Sequence, residues 1–388
     1  MRKNPLIIIG LCLIIVKFVA YYFNSNGALQ EANARMHKKQ YDEKTLDLLD
    51  QAMMSNPQDA RVYGNLAEFY IATNKLDTAL GEINQGLALI SARGDIRLAL
   101  LGLRSITYTE KSNYDLALKD ANEIIAMKPD EGGTYLTRAA VYEKLQQYDQ
   151  AMSDLDKAVQ LNPKKADFIT ARGALESEQG FTEKSLADFN QALVLAPNNV
   201  MTFISRGEVY FGMNDYAHAI QDFDRAEQLA SQKPNLFYTR GLAKLYSGST
   251  TAAIDDLKKA VSLDPPNGSL ADYHVLWLHI ANLHVGQDDH VEFDNNTAKF
   301  TDGKWPVPVM TFYQGKFSVE ELYQKALTGD AKAQHDQTCE ANFYAGEFYL
   351  SKNMKPEAIK SFQTANSTCP VAFTEHAAAR AELKNLGL

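Results

Sequence analysis

Four of the eight histidines lie in one short stretch of the chain, and imidazole is a common transition-metal ligand. They are His274, His279, His284 and His290. The first three are spaced by five residues, which turns an α-helix by about 140° beyond one full circle. They therefore do not share one helix face, as two zinc ligands four residues apart would. The spacing favours amphipathic or surface histidines over a metal site.

Other patterns that could carry chemistry are absent from the sequence. There is no HExxH, GxSxG, P-loop or GxGxxG motif. Adjacent carboxylates such as Asp255 and Asp256 fit an ordinary solvated helix face. The net charge is −9 over 388 residues, and no basic stripe accompanies it. We therefore expect a protein without a catalytic centre or a cofactor, and one that does not bind nucleic acid.

The chain opens with an apolar run. Residues 5–23 read PLIIIGLCLIIVKFVAYYF and follow Arg2 and Lys3. The run approaches the roughly 20 residues that span a bilayer, and its basic flank directs the remaining chain outward. A signal peptide that is cleaved near Gly27 is the alternative. We expect a periplasmic body, either anchored to the inner membrane by residues 5–23 or secreted after cleavage.

Most of the chain repeats every 34 residues. Counting each recurring proline (Pro129, Pro163, Pro197 and Pro265) as residue 32 places repeats at 98, 132, 166, 200 and 234. Position 8 of these repeats is always small: Ser105, Ala139, Gly173, Gly207 and Gly241. Small residues let two antiparallel helices approach closely, and the proline ends the second helix. The pattern resembles the tetratricopeptide repeat, which implies an all-α solenoid of stacked antiparallel helical hairpins.

Weaker copies extend the array at both ends. The predicted organisation is a signal peptide or anchor at 1–25, a repeat array at 26–267, an irregular helical segment at 268–338, and a final hairpin with a capping helix at 339–388. Repeats of the array begin near 26, 60, 98, 132, 166, 200 and 234. The longer spacing between 60 and 98 places extra residues in a loop around 91–94.

Two cysteines occupy positions 1 and 31 of the last repeat. Because these positions lie at the same end of a helical hairpin, we predict a disulfide between Cys339 and Cys369. An exported compartment permits its formation, and two free thiols are the alternative. The third cysteine, Cys12, follows Ile9-Gly10-Leu11, which is a poor context for lipid attachment.

Charged residues recur with the same period. Position 7 is arginine in five repeats: Arg104, Arg138, Arg172, Arg206 and Arg240. Position 23 is aspartate in the same repeats: Asp120, Asp154, Asp188, Asp222 and Asp256. A ligand-binding row is one interpretation. We favour an internal arginine–aspartate ladder that joins the helices, because arginine pairs with carboxylates in a bidentate manner.

The resemblance to tetratricopeptide repeats also implies a binding groove. In such arrays positions 2, 5, 9, 12 and 13 of the first helix line the concave side, here called the inner face. Its acidic members are Glu68, Glu110, Glu143, Glu178 and Glu208. Its apolar members are Leu136, Ile204, Phe211, Tyr238, Leu242, Leu245 and Tyr246. Such a surface suits a protein segment with apolar anchors and basic residues.

The C-terminal third resembles a narrower family. VLWLHIANLHVGQ at 275–287, WPVPVMTFYQGKFSVEELYQKA at 305–326, CEANFYAGEFYL at 339–350 and FTEHAAARAELKNLG at 373–387 follow one another in the order typical of the NlpI-like periplasmic tetratricopeptide lipoproteins. This resemblance implies a non-enzymatic, often dimeric adaptor that docks periplasmic proteases and peptidoglycan hydrolases at the envelope. The poor lipidation context at Cys12 departs from that family.

The sequence as a whole predicts an envelope scaffold with protein or peptide clients. Two alternatives remain open at this point. One is an assembly factor for a secretion or pilus system, which would use the same groove for other clients. The other is an enzyme with a site in residues 268–338, where the repeat pattern fades.

Overall fold

The computed structural model describes residues 27–89, 94–230, 234–264, 270–370 and 373–388. Within these ranges the chain forms 21 α-helices and no β-strand, which confirms the all-α prediction. The apolar run at 5–23, Cys12 and residues 90–93 of the predicted long loop lie outside the described ranges. None of the described helices combines the length and the apolar character that crossing a bilayer requires.

The chain divides into two compact units, one ending at Ala196 and the other beginning at Pro197. The N-terminal unit contains five hairpins. They are α1 (Ala28–His37) with α2 (Glu43–Ser55), α3 (Ala60–Ala72) with α4 (Leu76–Ala88), α5 (Asp95–Glu110) with α6 (Tyr114–Met127), α7 (Gly132–Lys144) with α8 (Tyr148–Leu161), and α9 (Ala166–Glu178) with α10 (Thr182–Leu195). Each hairpin packs on the next, which buries a continuous core along this unit.

The C-terminal unit begins with two hairpins of the same kind and then departs from the period. Its helices are α11 (Val200–Gly212), α12 (Tyr216–Leu229), α13 (Pro234–Tyr246), α14 (Thr250–Leu263), α15 (Ala271–His284), α16 (His290–Thr297), α17 (Val307–Tyr313), α18 (Val319–Ala326), α19 (Ala331–Ser351), α20 (Lys355–Thr368) and α21 (Thr374–Asn385). The last hairpin, α19 with α20, begins earlier than residue 339 because Asp330 caps α19 by accepting from the Ala333 N–H. Helix α21 packs against α19 and α20.

The two helices of a repeat touch at position 8. A Cβ atom on Gly207 would lie 2.7 Å from Cε1 of Phe223, and one on Gly346 would lie 2.6 Å from the ring of Phe362. In the repeat that has serine there, Ser105 Oγ donates to the Ala117 carbonyl at 2.9 Å. The small residues recognised in the sequence therefore set how closely the helices approach.

The turn between the two helices of each repeat also has a fixed conformation. Position 15 has a positive φ in seven repeats: Asn74, Ser112, Gln146, Gly180, Asn214, Gly248 and Asn353. Glycine and asparagine tolerate this left-handed region best, and they occupy five of these places. This turn residue is a further constant of the repeat.

The arginine–aspartate ladder forms as predicted. In every rung the arginine Nε and Nη2 donate to the two carboxylate oxygens of one aspartate at 2.7 to 2.9 Å. The rungs are Arg104–Asp120, Arg138–Asp154, Arg172–Asp188, Arg206–Asp222 and Arg240–Asp256. Each rung joins the first helix of a repeat to its second helix.

The same arginines also reach the preceding repeat. Nη1 donates to the second helix of that repeat in four cases: Arg104 to Asn84 at 2.9 Å, Arg138 to Asn122 at 2.8 Å, Arg172 to Asp156 at 3.0 Å, and Arg240 to Asp224 at 2.7 Å. The ladder therefore fixes a hairpin internally and ties it to its neighbour.

Removing one carboxylate of the ladder should destabilise the protein. Asp222→Ala leaves the mostly buried Arg206 without that partner, and we expect the free energy of unfolding to fall by about 3 kcal/mol. Chemical denaturation of the purified chain measures this change. Asp255→Ala removes an exposed aspartate and should change stability by less than about 0.5 kcal/mol. An unchanged midpoint for Asp222→Ala would contradict a stabilising ladder.

Adding one methyl group at position 8 should also destabilise the fold. Gly207→Ala forces the Phe223 ring away and should cost about 1–3 kcal/mol. At Gly212 on the same helix, a Cβ atom would meet no other atom within 4 Å, so Gly212→Ala should be neutral or stabilising by up to about 1 kcal/mol. Thermal melting of the two variants side by side checks the difference, and equal melting temperatures would refute the close approach.

Candidate functional site

The acidic inner face of the N-terminal unit is only partly accessible. Glu110, at the end of α5, keeps 40% of its side chain exposed, and its carboxylate lies 3.9 Å from Nζ of Lys144 at the end of α7. Glu178 ends α9, is half-buried and accepts a long hydrogen bond of 3.4 Å from the Tyr148 hydroxyl. Glu110 and Glu178 are thus the predicted carboxylates that another molecule can reach in this unit.

The remaining predicted residues of this face are buried. Glu143 and Leu136 lie within α7, and Glu68 lies within α3. Burial raises the pKa of Glu68 to about 7. Burial and the charge of Glu68 together raise the pKa of the neighbouring Tyr41 to about 12. Glu68 is therefore better described as a carboxyl group in the packed interior than as a surface for clients.

The predicted aromatic wall of the C-terminal unit is not exposed, and that expectation is corrected. Its residues are all buried: Ile204, Phe211, Tyr238, Leu242, Leu245 and Tyr246. The reason is that α15 continues the stack, placing His274 4.7 Å from Tyr238 and Trp277 6.2 Å from Tyr246 between ring centroids. Glu208, the acidic member of this face, is half-buried. These aromatic side chains act as core.

The three evenly spaced histidines approach three different carboxylates, in agreement with their separation around the helix. Nδ1 of His274 lies 2.9 Å from Asp264, and Nδ1 of His279 lies 2.8 Å from Asp289. Nε2 of His284 lies 2.8 Å from Glu347. Of the two expected alternatives, amphipathic or surface histidines, the surface position is wrong for His274 and His279, which are buried because α15 is covered on several sides. His290 is exposed.

His284 belongs to a polar cluster with two buried carboxylates that sequence reasoning missed. The cluster consists of His284 on α15, Glu347 on α19 and Glu382 on α21, with Nε2 of His284 3.9 Å from Oε1 of Glu382. Burial lowers the pKa of His284, but the charge of Glu347, its hydrogen bond to the imidazole and the charge of Glu382 together outweigh burial and raise the pKa to about 9. Burial and the charge of Glu347 raise the pKa of Glu382 to about 8. No local sequence motif indicates this cluster, because its members lie far apart in the sequence.

Other contacts hold the same helices together. The Tyr273 hydroxyl and Trp305 Nε1 both donate to Glu340, at 2.5 and 2.8 Å. The Tyr344 hydroxyl donates to Glu375 of α21 at 2.9 Å. The last hairpin also contains the disulfide between Cys339 and Cys369, with their Cα atoms 4.9 Å apart.

Glu68 gives a testable dependence of stability on pH. Its pKa is about 7 in the folded chain and 4.5 ordinarily, so the protein loses stability as pH rises between these values. Glu68→Gln removes this loss. The variant should match the wild type near pH 4 and exceed its unfolding free energy by about 3 kcal/mol above pH 7. Denaturation across pH measures the difference, with Glu110→Gln as the control for charge; a constant difference would contradict it.

Comparison with known proteins gives consistent results. Tetratricopeptide repeat models match residues 26–91, 133–165 and 234–267. A tetratricopeptide repeat protein from Parabacteroides merdae is 24% identical, with 66% of this chain and 97% of that chain covered and a TM-score of 0.50. TTC0263 from Thermus thermophilus is 21% identical over 48% of this chain and 99% of its own, with a TM-score of 0.43. PilF from Pseudomonas aeruginosa is 14% identical over 63% of this chain and 99% of its own, with a TM-score of 0.43. The matched segments are tetratricopeptide repeats, and the chain has the all-α fold built from them.

Proposed function

We propose that this chain is a non-enzymatic adaptor of the bacterial envelope that binds other proteins through the inner face of its N-terminal unit. The observation that carries the proposal is the distribution of accessible groups along the repeats. Stacked hairpins present a surface that partners can use, and here that surface remains accessible at Glu110 and Glu178. In the C-terminal unit the corresponding aromatic residues are already occupied by the chain's own packing.

The chemistry of the accessible groups favours a basic client segment. Glu110 and Glu178 end the first helices of their repeats, and the chain carries a net charge of −9. Carboxylates at the rim of an interface steer a positively charged partner and select against an acidic one. Lysine or arginine side chains of a client would pair with them, and the resulting complex should weaken as salt concentration rises.

The envelope location is part of the proposal. The apolar run at 5–23 supports export, with the run retained as an inner-membrane anchor. The disulfide between Cys339 and Cys369 supports an oxidising compartment. The resemblance of the C-terminal third to the NlpI-like lipoproteins favours a periplasmic protease or a peptidoglycan hydrolase as the client.

Charge reversal on the inner face tests this function. The double variant Glu110→Lys/Glu178→Lys should bind clients about tenfold more weakly, because attraction at two rim positions becomes repulsion. The measurement is crosslinking in the envelope fraction, followed by titration of the identified protease or hydrolase against the purified variant at low salt.

The matched control reverses two exposed aspartates on another helix. Asp47 and Asp50 lie on the solvent side of α2, so Asp47→Lys/Asp50→Lys makes the same change in net charge. That variant should bind as the wild type does. Equal binding by both double variants would show that the client site does not lie on the inner face. Recovery of cytoplasmic partners alone would argue against an envelope role.

A further inference from the structure

We propose that His284, Glu347 and Glu382 form a binding site for one divalent transition-metal ion, which fastens α15, α19 and α21 to one another. The inference does not depend on the adaptor function. It arises from three side chains that meet in space and that the repeat pattern does not explain. The four histidines clustered between residues 274 and 290 are not together the ligand set; His284 alone combines with two carboxylates from distant helices.

The distances fit a metal ion. The ligand atoms, one from each residue, all lie within 4.8 Å of one another. Nε2 of His284 is 2.8 Å from Oε2 of Glu347 and 3.9 Å from Oε1 of Glu382. Zinc binds nitrogen and oxygen at about 2.0–2.2 Å, so tetrahedral ligands stand about 3.3–3.5 Å apart. The two separations from the imidazole lie on either side of that value and the carboxylate pair lies within 4.8 Å, so side-chain rotations would bring all three atoms onto one ion.

Unsatisfied polar atoms point to the same conclusion. Oε1 of Glu347 and Oε1 of Glu382 are buried and accept no hydrogen bond from any described residue. Their side chains are only 1% and 4% exposed. A buried carboxylate oxygen without a partner is costly, whereas coordination to a cation satisfies it. The hydroxyl of Tyr246 is likewise buried without a partner in the described part of the chain, and burial, followed by the charges of Glu347 and Glu382, raises its pKa.

The ligand chemistry selects the class of ion. One imidazole nitrogen and two carboxylate oxygens suit zinc or manganese better than calcium, which prefers oxygen alone. Two carboxylates and a neutral imidazole balance the charge of a divalent ion, so the site would carry no net buried charge. The side chain of His284 is 20% exposed, which leaves a path for the ion from solvent.

The position of the site suggests a structural purpose. Helix α21 is held near its start by Glu375, which accepts from the Tyr344 hydroxyl. Glu382 lies near the other end of α21. An ion bound there would fix the second end of the helix to α15 and α19. The inner-face residue Tyr246 lies near Glu347 and Glu382 and packs against Trp277 of α15, so the ion would also stabilise the packing of α15 on the inner face.

Zinc binding to the full chain tests the proposal. The protein is stripped with a chelator, titrated with zinc chloride in a calorimeter and assayed for metal after dialysis. We expect one tightly bound zinc per chain and a higher melting temperature with zinc than without it. X-ray absorption at the zinc edge should show nitrogen and oxygen ligands and no sulfur.

Variants assign the site. Glu382→Gln and His284→Ala should each weaken zinc binding more than about tenfold and abolish the zinc-dependent rise in melting temperature. Glu357→Gln, an exposed carboxylate on α20, is the matched control and should bind zinc as the wild type does. A wild-type chain that retains no stoichiometric zinc would overturn the proposal, leaving only an ion pair between His284 and Glu347. Retention of zinc by both ligand variants would also overturn it, since other histidines would then be the ligands.

Discussion

The fold depends on the pairing of one partly or fully buried arginine with an aspartate in each of five repeats. A guanidinium group between two packed helices is costly unless a carboxylate accepts hydrogen bonds from it. Position 23 supplies an aspartate whose two oxygens accept from Nε and Nη2 in each of the five rungs. The pair can form only if the two helices adopt one separation and one register. The small residue at position 8 permits that separation, and the left-handed residue at position 15 turns the chain into it. The arginine–aspartate pair, the small residue at position 8 and the turn residue at position 15 are therefore all consistent with one packing geometry of the two helices.

The C-terminal unit begins with the same hairpin geometry and then packs its inner face with its own helices. After α14 the period is lost, and long aromatic side chains take over the packing, as in the contact of Trp277 with Phe343 at 5.1 Å. Some polar groups that enter this core are paired, such as His279 with Asp289 and Tyr344 with Glu375. An inner face that would be open in a regular array is filled here. In the N-terminal unit, Glu110 and Glu178 of that face remain accessible.

The sequence predicted what repeats and the one disulfide between Cys339 and Cys369, but it did not predict the other contacts that occur only once. Hairpins and ladder follow from fixed offsets, because Arg104 and Asp120 stand in the same relation as every later pair. The burial of Tyr246 could not be predicted, because it lies against Trp277 and near α21, and neither belongs to the 34-residue repeat pattern. The early start of α19 depends on the single cap Asp330. The cluster of His284, Glu347 and Glu382 has no signature along the chain, because three separate helices contribute one member each.

The second contact of the ladder arginines has a consequence for how such an array changes in length. At the four junctions where Nη1 makes this contact, one acceptor is a short amide or carboxylate: Asn84, Asn122, Asp156 or Asp224. At the last of them Glu227 accepts from the same Nη1. The contact to Asn84 survives even though four additional residues separate that repeat from the next. Because these four junctions present interchangeable chemistry, a whole repeat between them can be duplicated or deleted without redesign of its neighbours. Genes of this type can thereby lengthen or shorten by unequal recombination and still encode a folded product.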